Sequence, residues 1–186
     1  MKKVFIALCA VALGTTAMAQ TDQGGWMFGA GSDLSFMSSK QDNDQEDSQS
    51  DFGLDVRAGY FVIDNLAVGL DVGFTSSSLG DASESSVLVG PYVRYYLPMK
   101  IFAEVGYRLG SQKSEIDFGD PIGVQEVTYG VGALGIGVGY AAFLNDNISI
   151  EPMVQYAMAT TSPDEGDSVS GSGFGVMVNF GIYLGN

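Results

Sequence analysis

Between Leu66 and Phe74 every even position, Leu66, Val68, Leu70, Val72 and Phe74, is large and apolar, and every odd one, Ala67, Gly69, Asp71 and Gly73, is small or acidic. A period of two places these sets on opposite faces of an extended strand. The same alternation runs over Leu54 to Tyr60, Val87 to Leu97, Ala103 to Leu109, Ile148 to Met158 and Phe174 to Leu184. Trp26 to Phe36 and the glycine-rich run from Glu126 to Ala142 bring the expected number of strands to eight.

The joints between these segments alternate in length. Short ones fall at Ile63-Asp64-Asn65, Pro98-Met99-Lys100 and Asn145-Asp146-Asn147, and long ones, rich in Ser, Asp, Gln, Gly and Glu, at roughly 38–50, 76–85, 112–124 and 160–171. Asp and Asn accept the left-handed backbone that tight turns need, which fixes the turn positions. Tight turns at one end and long polar loops at the other are the pattern of a barrel that crosses an outer membrane with strands. The expected fold is therefore all-β, an eight-stranded antiparallel up-and-down transmembrane barrel. The competing reading is a soluble, lipocalin-like barrel, faintly echoed by Gly25-Trp26, but the segments show neither a terminal helix nor cysteines for disulfides.

The first residues fit the same destination. Lys2 and Lys3 precede an apolar stretch from Val4 to Leu13, then Ala17-Met18-Ala19. That order is a secretory signal, and about ten apolar residues fall short of the roughly 20 that a spanning helix needs. Residues 1–19 are expected to be removed, leaving 20–186 as one barrel domain. Cys9, the only cysteine, leaves with the signal, and its place after Leu8 is a poor fit to lipidation. The remaining chain has 6 basic and 22 acidic residues, a net charge of −16 that disfavours nucleic acid as a partner.

If the apolar face meets lipid, the opposite face lines the bore. It carries Asp33, Asp55, Arg57, Asp71, Arg94, Glu104, Arg108, Glu151, Gln155 and Asn179. Unpaired charges are costly in a low dielectric, and eight strands enclose a lumen just wide enough for side chains. Asp55, Arg57, Asp71, Arg94, Glu104, Arg108 and Glu151 are thus expected to form a structural charge network, with the three arginines holding it. Aromatic residues are expected at the two rims: Trp26, Tyr60, Tyr95, Tyr140 and Phe180 toward the turns, and Phe36, Phe74 and Tyr156 toward the loops.

One segment breaks parity. Val127, Tyr129 and Val131 are apolar at odd numbers, whereas Leu134, Ile136, Val138 and Tyr140 are apolar at even ones. A β-bulge near Gly132 to Gly135 would restore the outward face. The alternative is that part of this run points inward as filler.

Catalytic readings are thin. The chain has no histidine, which removes serine–histidine–aspartate and histidine acid–base chemistry. Glu104 and Glu151 remain as a carboxylate pair, but charge-balanced bore residues explain them better. The glycines at 130, 132 and 135 match a spaced dinucleotide pattern without the helix that such a loop needs, so they read as strand glycines. The acidic run Lys40 to Asp47 lacks the glycine of a calcium-binding turn and reads as a solvated loop. No enzyme activity, cofactor or metal is expected.

Gly59-Tyr60-Phe61-Val62-Ile63-Asp64-Asn65-Leu66-Ala67-Val68-Gly69-Leu70 and Gly90-Pro91-Tyr92-Val93-Arg94-Tyr95-Tyr96 together resemble the small outer-membrane β-barrel family of OmpX-like, OmpW-like and OmpA-membrane-domain proteins, also called porin-family barrels. The resemblance covers essentially all of the chain after the signal and implies the outer membrane of a Gram-negative bacterium. Partners it implies are outer-membrane lipid, lipopolysaccharide and, during biogenesis, the barrel-insertion machinery, with the protein monomeric. Members often end in an aromatic residue read at insertion; this chain ends Tyr183-Leu184-Gly185-Asn186, which shifts that signal to Phe180 to Leu184. A structural or surface-interaction role, with acidic loops outward and a charge-plugged lumen, is the leading expectation; a narrow diffusion channel is the alternative.

Overall fold

The alternating segments are strands. The structure is a computed structural model that describes residues 18–35, 49–79, 82–117, 123–163 and 167–185. Nine strands follow in order: β1 (Trp26–Ser35), β2 (Gln49–Ile63), β3 (Leu66–Leu79), β4 (Ala82–Tyr96), β5 (Ile101–Asp117), β6 (Val124–Tyr140), β7 (Ala142–Phe143), β8 (Ile148–Pro163) and β9 (Val169–Leu184). Each pairs antiparallel with its neighbours, and β1 pairs with β9, closing the sheet. The two residues of β7 carry the β6 edge past Ala141 along β8, so the barrel has eight staves. Met18–Thr21 forms a short 3-10 turn below the β2–β3 hairpin, where the Asn65 N–H donates to the Thr21 carbonyl.

The short turns lie where Asp and Asn placed them. Asn65 has φ 66°, and the Asn145 carboxamide oxygen accepts from the backbone N–H groups of Asn147 and Ile148. The loop end differs from expectation. The polar stretches at 76–85, 112–124 and 160–171 are largely strand, leaving only 80–81, 118–123 and 164–168 as connections. These stretches lack a greasy face, yet their backbones still pair, and facing hydroxyls add rungs such as Thr75 with Ser86 and Thr160 with Ser170. A 17-residue strand is about 55 Å long, or about 40 Å tall at a tilt of about 40°, against an apolar band of about 25 Å. The strands therefore run on past the band at the loop end.

No register shift occurs in β6 against β5 or β8. The expected bulge at Gly132 to Gly135 is absent, and the other reading holds: the odd positions of β6 face the bore throughout, and Val131 is buried there as filler. Outside, Gly132 leaves a notch over which the Tyr107 ring lies. The outward face is a belt of exposed Val, Leu, Ile and aromatic side chains, with Trp26 packed on Tyr60 near the turns and Phe174 on Tyr156 toward the loops. Phe36, residues 1–17 of the expected signal (1–19) and the acidic run 40–47 lie outside the described residues.

Candidate functional site

At the turn end the bore is closed by an apolar stopper of Met27, Phe61, Ala67, Tyr96, Phe102, Ala141, Met153 and Tyr183. Parity sends these side chains inward just as it sends Val93 and Tyr95 outward. The Tyr183 ring packs against Tyr96, Phe61 and Phe143, and the Tyr96 and Tyr183 hydroxyls bond one another at 2.5 Å.

Above the stopper the seven charged residues named from the sequence form one chain of contacts. Glu151 on β8 accepts from Ser149 Oγ and Tyr183 Oη, and its other oxygen lies 2.6 Å from Arg94 Nη1. Arg94 Nε donates to Glu104 at 2.7 Å, and the two residues stand opposite in the β4–β5 register. Arg94 Nη2 is also 2.7 Å from that oxygen as an ion pair, though out of line for a hydrogen bond. Glu104 takes Arg57 Nη1 at 2.9 Å, Arg57 Nη2 meets Asp71 at 3.0 Å, and Arg108 joins Asp71 at 3.1 Å to Asp55 at 2.6 Å.

Burial deepens toward the turns. The Arg108 and Asp55 side chains keep about 30% exposure, whereas Arg94 keeps none. Arg108 reaches from β5 to β2 because the inward positions between them are Gly90 and Gly73; a Cβ on Gly73 would stand 3.0 Å from the Arg108 guanidinium. Arg94 is also seated by its guanidinium carbon 4.0 Å over the Phe102 ring. Carboxylates on both sides and an aromatic face below make a cross-bore brace that has no route for reorientation without breaking several contacts.

Sequence reasoning placed the charges but missed Tyr92, Tyr96, Ser149 and Tyr183. The signal was available: Tyr92 and Tyr96 share parity with Arg94, and Ser149 and Tyr183 share parity with Glu151 and Asn179. Gln155 and Asn179 do not join the charge chain; they line a cavity of ≈60 Å³ above Glu104, together with Tyr92, Arg108, Ala157 and Met177. At about 10–15 Å³ for each water centre, the space suits four to six waters or one small ligand group. Glu104 and Glu151 are bridged by Arg94 rather than facing each other across open space. Among the described residues no group of three acidic, histidine or cysteine side chains is arranged to hold a metal.

Comparison with solved structures gives the same architecture. Ail, the attachment invasion locus protein of Yersinia pestis, superposes with a TM-score of 0.57 at 15% identity, over 86% of this chain and 98% of that one. Neisserial surface protein A gives 0.50 at 16% identity, over 87% of this chain and 98% of that one. No curated protein matches the sequence. The Outer membrane protein beta-barrel domain family matches residues 5–181, nearly the whole chain. With a closed eight-stave barrel, a greasy outer belt and a charged bore, this chain belongs to that family and resides in the outer membrane of a Gram-negative bacterium.

Proposed function

We propose that this protein is a non-conducting, non-enzymatic outer-membrane barrel that acts through what it presents at the cell surface. The observation that carries the reading is the brace of Arg94 between Glu104 and Glu151, with no exposure of the arginine and an apolar stopper directly beneath it. Ions would have to break at least two buried charge contacts and then pass a ring-packed floor. Asp55, Asp71, Glu104 and Glu151, the carboxylates of the charge chain, each have an arginine partner, so none of the four is free to act as a general acid or base.

What remains for function is the loop end. The strands continue past the apolar band as a hydroxyl-rich sheet, and the charge there is acidic, Lys113 being tied to Glu126 at 2.7 Å. The protein is a monomer in this reading, embedded among outer-membrane lipid and lipopolysaccharide after delivery by the barrel-insertion machinery.

Planar-bilayer conductance of the refolded protein, beside Arg94→Ala and Arg57→Ala variants, tests the reading. A silent wild type opened by Arg94→Ala supports a stoppered barrel. Steady wild-type current that these substitutions alter would make the protein a narrow diffusion channel instead.

A further inference from the structure

The outer belt ends level at the loop side. Followed along the register from strand to strand, Gly31 on β1 leads through Gly73 and Gly110 to Val169 on β9, yet directly it pairs with Asn179, ten residues nearer the turns. The register line therefore climbs about 1.25 residues per strand, or about 3 Å at a tilt of about 40°. With that climb included, the last large apolar residues facing outward, Phe52, Phe74, Val87, Leu109, Met158 and Phe174, stand within about 3 Å of one height. The next outward positions are Ser76 on β3, Ser85 on β4, Ser111 on β5, Thr160 on β8 and Ser172 on β9, while on β6 Gly132 lies beneath the Tyr107 ring. One step higher come Ser83, Lys113, Ser162 and Ser170. A collar of hydroxyls thus rims the belt at the loop end, where the turn end has the rings of Trp26, Tyr60 and Tyr95.

The collar is nearly free of charge. Among its described residues the one cation is Lys113, and its ammonium is tied to Glu126 at 2.7 Å. Glu115 stands opposite Glu126 in the β5–β6 register, on the same outward face and farther from the belt, so the charge above the collar is acidic. Two hydroxyl pairs hold one another at 2.9 Å, Thr160 with Ser170 and Ser162 with Ser168. A hydroxyl has roughly twice as many acceptor sites as donors, and pairing two of them consumes one of each, so the collar keeps a surplus of acceptors. Collar and belt are continuous on one wall. Lipids whose tails cover the belt at the loop end must therefore set their heads against these hydroxyls.

We propose that this collar is a docking surface for the sugar heads of outer-leaflet glycolipid, held by hydroxyl-to-hydroxyl hydrogen bonds and not by charge. Sugar hydroxyls donate as well as accept, which suits a wall with acceptors to spare. A phosphate head only accepts. It meets no unpaired cation among the described collar residues, and Glu115 and Glu126 above repel it. Small side chains also let a flat sugar ring lie close to the backbone, which lysine or arginine stems at the same positions would prevent. Such docking needs residence in the outer membrane and is independent of whether the bore conducts.

The test uses the full refolded barrel in phosphatidylcholine vesicles doped with spin-labelled digalactosyl diacylglycerol, phosphatidylcholine or phosphatidylglycerol, all carrying the label at one chain position. Electron spin resonance reads the fraction of each lipid that the barrel slows. The galactolipid should associate about threefold more strongly than phosphatidylcholine, as a fraction of one net hydrogen bond predicts, and phosphatidylglycerol no more strongly than phosphatidylcholine. The preference should persist in about 1 M sodium chloride, where charge contacts are screened. Ser76→Val/Ser85→Val/Ser111→Val/Thr160→Val should erase it, and Ser85→Lys/Thr160→Lys should replace it with a salt-sensitive preference for phosphatidylglycerol. Each variant is first checked for the gel mobility difference between unheated and boiled samples, and the lysine variant decides if the valine variant does not fold. Equal association of the three lipids, or a wild-type preference for phosphatidylglycerol, overturns the collar as a sugar surface. A galactolipid preference left intact by the valine or the lysine variant overturns it as well, and none of these outcomes bears on the conductance test.

Discussion

Arg94 on β4 and Glu151 on β8 meet at 2.6 Å across the bore, with neither side chain more than 2% exposed. Such a pair is a poor source of net stability, because desolvation of both charges offsets most of their attraction. Removing one partner is another matter. Glu151→Leu leaves Arg94 buried with Glu104 as its one remaining carboxylate and should cost about 3–5 kcal/mol. Arg94→Met/Glu151→Leu should recover much of that loss, since Glu104 retains Arg57 at 2.9 Å. Urea unfolding of all four corners of the cycle in lipid vesicles checks this, and single-variant losses below about 1 kcal/mol would mean the pair is solvated.

The outer belt predicts a depth-dependent cost for charge. Leu70 on β3 points outward with 59% exposure, four residues above its turn, near the middle of the apolar band. Leu70→Arg should cost about 2–4 kcal/mol in vesicle refolding, and Ser76→Arg, on the same face beyond the band, at most about 1 kcal/mol. Equal effects at the two sites would place the belt elsewhere on the strands.

Most of this fold was legible because a barrel wall has a period of two and a chain of hairpins has only nearest-neighbour pairings. Leu66 to Phe74 alone gave the face of β3, and the Asp64-Asn65 turn gave its start. Polar ends were not legible: Ser76 to Leu79 carries no contrast between faces, so its strand character comes from pairing with Gln49 to Phe52 on one side and Ala82 to Ser85 on the other. In β6 the parity change was visible but ambiguous, because an apolar residue in a barrel can face lipid or fill the bore. Val131 fills it. The charge chain was legible as a set and not as partners, since Arg108 meeting Asp55 depends on small residues at Gly73 and Gly90 of the intervening strands. The aromatic stopper was missed for the same reason that Val131 was ambiguous: Tyr95 and Tyr96 are identical in kind and opposite in direction.

The brace depends on a glycine two strands from Arg94. A Cβ on Gly139 of β6 would run into the Phe102 ring, which is fully buried and carries the Arg94 guanidinium on its face. Gly139→Val should therefore destabilise the barrel by about 1–3 kcal/mol through overpacking. Phe102→Leu added to it should restore part of the loss by freeing space, even though Phe102→Leu alone removes the ring under Arg94. Additive losses in the double variant would show that the two positions do not share that space.

The turn between β4 and β5 carries strain that the stopper above it does not require. Met99 and Lys100 both have positive φ, 68° and 64°, and neither is a residue that adopts the left-handed region easily. Left-handed backbone costs most residues about 1–2 kcal/mol, and Asn or Gly avoids much of it. Met99 is 64% exposed, so Met99→Asn should stabilise the barrel by about 0.5–1 kcal/mol. Lys100→Gly should gain less, because the Lys100 ammonium lies 5.1 Å from the Phe143 ring, a contact worth about 0.5–1 kcal/mol at an exposed site. Unfolding midpoints of the two single variants in vesicles separate backbone strain from that contact: a larger gain at 99 than at 100 is expected, and a loss at 99 would mean that its side chain, not its backbone, sets the turn.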